Sequence, residues 1–95
     1  MGNIIDIMFR PKVLKLFLLI DDSKKCYSSI LAKKVDFTYS HAVKTIIKFV
    51  ESDLVVMEKK GRMQMLRLTK KGKELQNYLA KAYDIMEGGE NVGKE

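Results

Sequence analysis

Ninety-five residues, 46% hydrophobic and 32% charged, have the composition of one small globular domain and exclude a disordered chain. Eighteen Lys and Arg against twelve Asp and Glu leave a net charge of +6, which favours an anionic partner such as nucleic acid or a lipid surface. The single cysteine, Cys26, excludes an internal disulfide, and the one strongly apolar run, residues 13–20, is too short to span a bilayer; with no cleavable signal pattern at the start, a soluble cytoplasmic protein is expected.

Residues 1–9 are apolar but short, and fit either a helix or an extended arm. Pro11 suits a first helical turn, where its missing N–H costs little. Val13, Leu14, Leu16, Phe17, Leu18 and Ile20 then make a helix that is apolar on most sides and therefore buried. After a polar turn over residues 21–25, a second short helix begins at Ser28 or Ser29, either of which can cap it, and ends near Val35. Phe37 is expected to point inward from the next turn. Ser40 is the expected N-cap of a third helix reaching about Ser52, with Ala42, Ile46, Phe49 and, at the margin, Val50 on its inner side. Residues 54–59 and 63–68, joined by Lys60-Gly61-Arg62, read as a β-hairpin, because Val55-Val56 is β-branched and Gly61 supplies the turn. Thr69 then caps a helix over residues 70–86, and residues 87–95 form a frayed tail. The domain proper is thus 10–86, mostly α within the α+β class, in the order helix, helix, helix, hairpin, helix.

Two constellations could carry function. Two short helices separated by about four residues, with the small Ala32 near their crossing, fit a helix-turn-helix. On the second of them His41, Lys44 and Lys48 share one face, with Thr38, Tyr39 and Ser40 at the amino end, where base edges and phosphates are met. A helix with a merely solvated basic stripe would look the same. From Glu58 to Lys73 there are seven basic residues and one acid. Leu66 and Leu68 alternate with Arg67 there, so one strand face is buried and the other basic. Lys59, Lys60 and Arg62 crowd three cations onto a thin tip, a repulsion that phosphate contact would relieve; a plain surface hairpin is the other reading. Along the last helix Leu75, Leu79, Ala82 and Met86 follow heptad-like spacing, widened by Tyr78 and Ile85. That band is broader than one domain needs, which points to homodimerisation, although it could simply cover the first helix.

Other chemistry finds little support. The tail residues 88–95 imitate a G-x-x-x-x-G-K phosphate loop, but neither strand nor following helix accompanies them, and Glu95 stands where Ser or Thr is needed. One Cys and one His cannot fill a tetrahedral metal site within one chain, so no metal or other cofactor is expected. The carboxylates are scattered or at element ends, no nucleophile–base spacing stands out, and neither catalysis nor a small-molecule ligand is expected.

The run LAKKVDFTYSHAVKTIIKFVESDLV, followed by the basic hairpin and then LTKKGKEL, resembles the winged-helix transcription regulators of the MarR, PadR and ArsR-like group. The group's Leu-Thr-x-x-Gly exit from the hairpin is matched at Leu68, Thr69 and Gly72, with Leu75 following, and the resemblance covers about residues 10–80. It implies a winged helix-turn-helix with three helices, a two-stranded hairpin wing and a C-terminal helix. It also implies a recognition helix over residues 40–52 and a wing tip over 59–62. Tyr39, Ser40, His41, Lys44 and Lys48 then map to the major groove and flanking phosphates, and Lys59, Lys60 and Arg62 to phosphates or a minor groove. Asp53 departs from the pattern, which commonly has glycine before the leucine-led strand. The chain is also shorter than full MarR-type proteins. The expected function is sequence-specific binding of double-stranded DNA by a dimeric transcriptional regulator. A winged-helix module that binds protein, or a weakly selective chromatin-type DNA-binding protein, are the alternatives.

Overall fold

The structure is a computed structural model and describes residues 4–21 and 26–88. Helices α1 (Ile4–Met8), α2 (Pro11–Leu18), α3 (Ser28–Lys34) and α4 (Tyr39–Glu51) precede strands β1 (Val55–Lys60) and β2 (Met63–Leu68), and α5 (Lys70–Met86) closes the order. The first segment is therefore helical where described. Residues 22–25 of the expected turn and 89–95 of the expected tail, with all but Gly88 of the phosphate-loop look-alike, lie outside the described residues.

Strands β1 and β2 pair antiparallel in a register running from Val55 opposite Leu68 to Lys60 opposite Met63. That register sends Val55, Leu66 and Leu68 into the core and Arg67 outward. A feature invisible in the sequence adds to the sheet. Tyr27 bridges Met65 in antiparallel fashion, and the Leu66 amide donates to the Cys26 carbonyl at 2.8 Å. The hairpin thus leans on the start of α3 as well as on its own pairing, which two strands alone could hardly sustain.

The core is built where α2, α4 and the hairpin meet. Phe17 and Phe49 are fully buried and meet edge to face, ring centroids 5.2 Å apart, with Leu16, Ile20, Ile46 and Leu66 around them. Each such side chain contributes roughly 1.5–3 kcal/mol by leaving water. α5 is tied to α2 by one amide: Gln76 Nε2 donates to the carbonyls of Phe17 at 2.9 Å and Ile20 at 2.8 Å, satisfying the orphan end of α2.

Caps depart in detail from expectation. Neither Ser28 nor Ser29 caps α3. Tyr27 is the N-cap, without a side-chain bond, and the buried Ser28 hydroxyl instead donates to Gln64 Oε1 across to the hairpin. Ser40 is likewise not the cap of α4: the helix starts two residues earlier, at Tyr39, and Thr38 Oγ1 accepts from the His41 amide at 3.1 Å. Val50 faces outward, and Thr45 takes the inner place beside Ala42, Ile46 and Phe49. β1 begins at Val55 because Leu54 is still engaged in ending α4.

Candidate nucleic-acid interface

α3 and α4 end in the same way. After α4 the Asp53 amide donates to the Val50 carbonyl and the Leu54 amide to the Phe49 carbonyl; after α3 the Asp36 amide donates to Lys33 and the Phe37 amide to Ala32. This double closure needs a left-handed residue in the middle, usually glycine. Asp36 at φ 62° and Asp53 at φ 63° fill the role, Asp being one of the few residues that tolerate it. The turn between α3 and α4 is thereby fixed from inside. Phe37, half-buried as expected, meets the His41 ring edge to face at 4.3 Å.

With Ala42, Thr45, Ile46 and Phe49 buried, helical geometry sets the rest of α4. Ser40, Lys44, Ile47 and Glu51 point directly away from the core, and all four are exposed. His41 and Lys48 lie on one flank. There they line a cleft with Arg10, Lys44 and Thr45, walled by Ile7 and Val13. Four of the seven lining residues carry basic or imidazole nitrogens and none is acidic. The three-residue stripe expected from spacing is therefore divided: Lys44 stands on the outermost ridge, while His41 and Lys48 turn toward the corner between α1 and α2. Arg10 joins them, an association that depends on packing between elements thirty residues apart in sequence. Thr38, Tyr39 and Ser40 are all exposed at the amino end of α4.

The hairpin tip is exposed at Lys59, Lys60 and Arg62, with Gly61 at φ +64° making the turn. Alternation separates these cations. Lys59, opposite Gln64, shares the inward-facing side with Val55 and Met57; Lys60, opposite Met63, lies on the other side, and Arg62 sits in the turn. Further down, Arg67 pairs with Glu58 at 3.5 Å, an exposed contact of small energetic weight. Among the described residues none of Lys44, Lys48, Lys59, Lys60 or Arg62 has a salt-bridge partner.

The Leu-Thr-x-x-Gly exit acquires a mechanical explanation. Leu68 is buried. The Thr69 hydroxyl donates to the Asp53 carbonyl at 2.7 Å and accepts from the Gly72 amide at 2.9 Å, while the Thr69 amide donates to the Leu54 carbonyl at 3.0 Å. Gly72 is buried because α5 lies directly against Leu54; a Cβ there would overlap the Leu54 carbonyl oxygen. This lock joins the end of α4, the end of β2 and the start of α5.

The five residues expected at a dimer surface part into two groups. Leu75 and Leu79 are half-buried against their own chain, where with Ile4, Ile5, Met8, Phe9 and Leu54 they line an apolar cleft of about 230 Å³. Tyr78, Ala82 and Met86 are exposed, as are Ile85 on the same helix and Ile5 and Phe9 on α1.

Comparison with known proteins bears on this arrangement. No family model matches the chain. A protein of Archaeoglobus fulgidus described as uncharacterized is 31% identical over 87 residues, which is 87% of this chain and 92% of the relative. The chain belongs to that protein's family. The crystal structure of AF1382, also from Archaeoglobus fulgidus, is 32% identical and superposes with a TM-score of 0.78 over 87% of this chain and 96% of that one. At the level of fold, the chain matches FabT of Streptococcus pneumoniae, solved in complex with DNA, with a TM-score of 0.75 over 99% of this chain and 67% of that one, at 14% identity. Other structures that share the architecture include a MarR-family transcriptional regulator. The chain thus has a winged-helix fold, as its motif order implies. In winged-helix terms α3 and α4 are the helix-turn-helix, and β1 and β2 the wing.

Proposed function

We propose that this winged-helix protein binds double-stranded DNA sequence-specifically as a homodimeric, cytoplasmic transcriptional regulator. One observation carries the reading: α4 offers a ridge with no acid before its last residue, Glu51, beside an acid-free cleft holding Arg10, His41, Lys44 and Lys48. A ridge of that shape fits a major groove, and a basic cleft at its edge fits the phosphates bounding it. Ser40 and Lys44, with Thr38 and Tyr39 at the amino end, would meet base edges. Arg10, His41 and Lys48 would hold the backbone on one side of the groove, and Lys59, Lys60 and Arg62 would do so from the wing. FabT, which shares the fold, was solved in complex with DNA, and this supports DNA as the partner. The exposed residues Tyr78, Ala82, Ile85 and Met86 of α5, together with Ile5 and Phe9 of α1, supply the surface for a second copy. A symmetric dimer would then read two half-sites about one helical turn apart.

Fluorescence anisotropy with a random duplex at several salt concentrations tests the proposal. Log affinity should fall steeply and linearly with log salt as counterions are released. No binding at low salt would reject it and favour a protein-binding module. Binding without any sequence preference would instead identify a chromatin-type protein.

A further inference from the structure

Opposite its basic flank, α4 carries Val43, Ile47 and Val50 at i, i+4 and i+7, a spacing that sets them side by side along the helix. Val43 is half-buried, and Ile47 and Val50 are 39% and 37% exposed. An isolated apolar residue on a surface needs no explanation. These three are contiguous, however, and sit on a helix whose inward side is already filled by Ala42, Thr45, Ile46 and Phe49. Core packing therefore does not require them. Ile47 lies on the outermost ridge itself, one turn beyond Lys44 and two beyond Ser40.

We propose that Ile47, flanked by Val43, is a specificity-determining residue that reads the 5-methyl group of thymine in the major groove. The inference rests on α4 being the groove-reading helix and names what that helix selects. The chemistry is narrow. On the floor of the major groove every base pair offers hydrogen-bond donors or acceptors, and the thymine methyl is the one apolar group an aliphatic side chain can match. An isoleucine there leaves polar edges of other bases without partners, so its presence favours T·A at the contacted step and disfavours G·C. Ser40 and Lys44, on the same ridge toward the amino end, then contact neighbouring base pairs by hydrogen bonding, with guanine the natural partner of Lys44.

The test begins with selection of bound sites from a random duplex pool and repeats the measurement with the thymines of the recovered half-site replaced, one at a time, by deoxyuridine. This removes one methyl and nothing else. At one position wild-type affinity should fall about fourfold, the worth of one buried methyl group. Ile47→Ala should bind the thymine and uridine sites equally at that position, and selection with the variant should lose the T·A preference there alone. Ile47 is exposed, so the variant should keep the wild-type unfolding midpoint. The inference is overturned if no thymine-to-uridine change affects the wild type, or if the methyl still matters equally to Ile47→Ala. Salt-dependent duplex binding with no enriched motif also sinks it while leaving DNA binding intact. Absence of binding to any duplex removes instead the reading on which it rests.

Discussion

Helices α4 and α5 are the longest in the protein and use their surfaces in opposite ways. α4 buries four of its 13 residues in a continuous inner stripe. α5, with 17, fully buries only Gly72. The inner side of α4 is finished by its own chain, and what remains outside is polar, basic and narrowly apolar. α5 is attached at its amino end by hydrogen bonds and half-buried leucines, after which an apolar flank continues into solvent. One helix is complete within its own chain; the other leaves an apolar flank open.

The contrast can be broken most severely at the lock. Gly72→Ala should cost at least about 3 kcal/mol, because the added methyl meets backbone rather than a flexible side chain. Urea unfolding would show a large fall in midpoint, and an unchanged midpoint would mean that α5 does not approach Leu54 so closely. Next in size, Tyr78→Glu combined with Ile85→Glu should weaken self-association by about a hundredfold or more, since charges would be buried without partners. Sedimentation equilibrium reads this directly, and a wild-type monomer at high micromolar concentration would remove the partner from α5 altogether. On the DNA side, Lys59→Ala, Lys60→Ala and Arg62→Ala together should flatten the salt slope by about three and lower affinity for all duplexes alike. Thr69→Ala removes one cap and should cost about 1 kcal/mol, seen as a smaller midpoint shift. Smallest, and opposite in sign, Asp53→Gly should stabilise by about 0.5 kcal/mol, the relief of left-handed strain less the entropy that glycine loses on folding.

Much of the architecture was legible because it follows from strong local rules. Alternation across Leu66, Arg67 and Leu68 sets the wing register, Gly61 its turn, and Thr69 with Gly72 the start of α5. What escaped depends on distance in sequence. The Tyr27–Met65 bridge is a single pair and leaves no periodic trace. Ser28 was expected as a cap, but its hydroxyl is taken by Gln64, thirty-six residues away. Spacing placed His41, Lys44 and Lys48 on one face; only the folded structure shows that Arg10 joins the flank and that Ile47 shares the outermost ridge with Ser40, Lys44 and Glu51. Charge drew attention to the cations, and an apolar residue among them carried no comparable signal.

Gln76 has a consequence for geometry at larger scale. Its amide holds the carbonyls of Phe17 and Ile20 together, and Phe17 packs on Phe49 of α4, so α5 and α4 are coupled through α2. If two copies meet along α5, the gap between their reading heads is set by this linkage as by the hinge of a caliper. Such an instrument accepts a single jaw opening. Operators with one or two base pairs inserted at the centre should be refused even when both halves are intact.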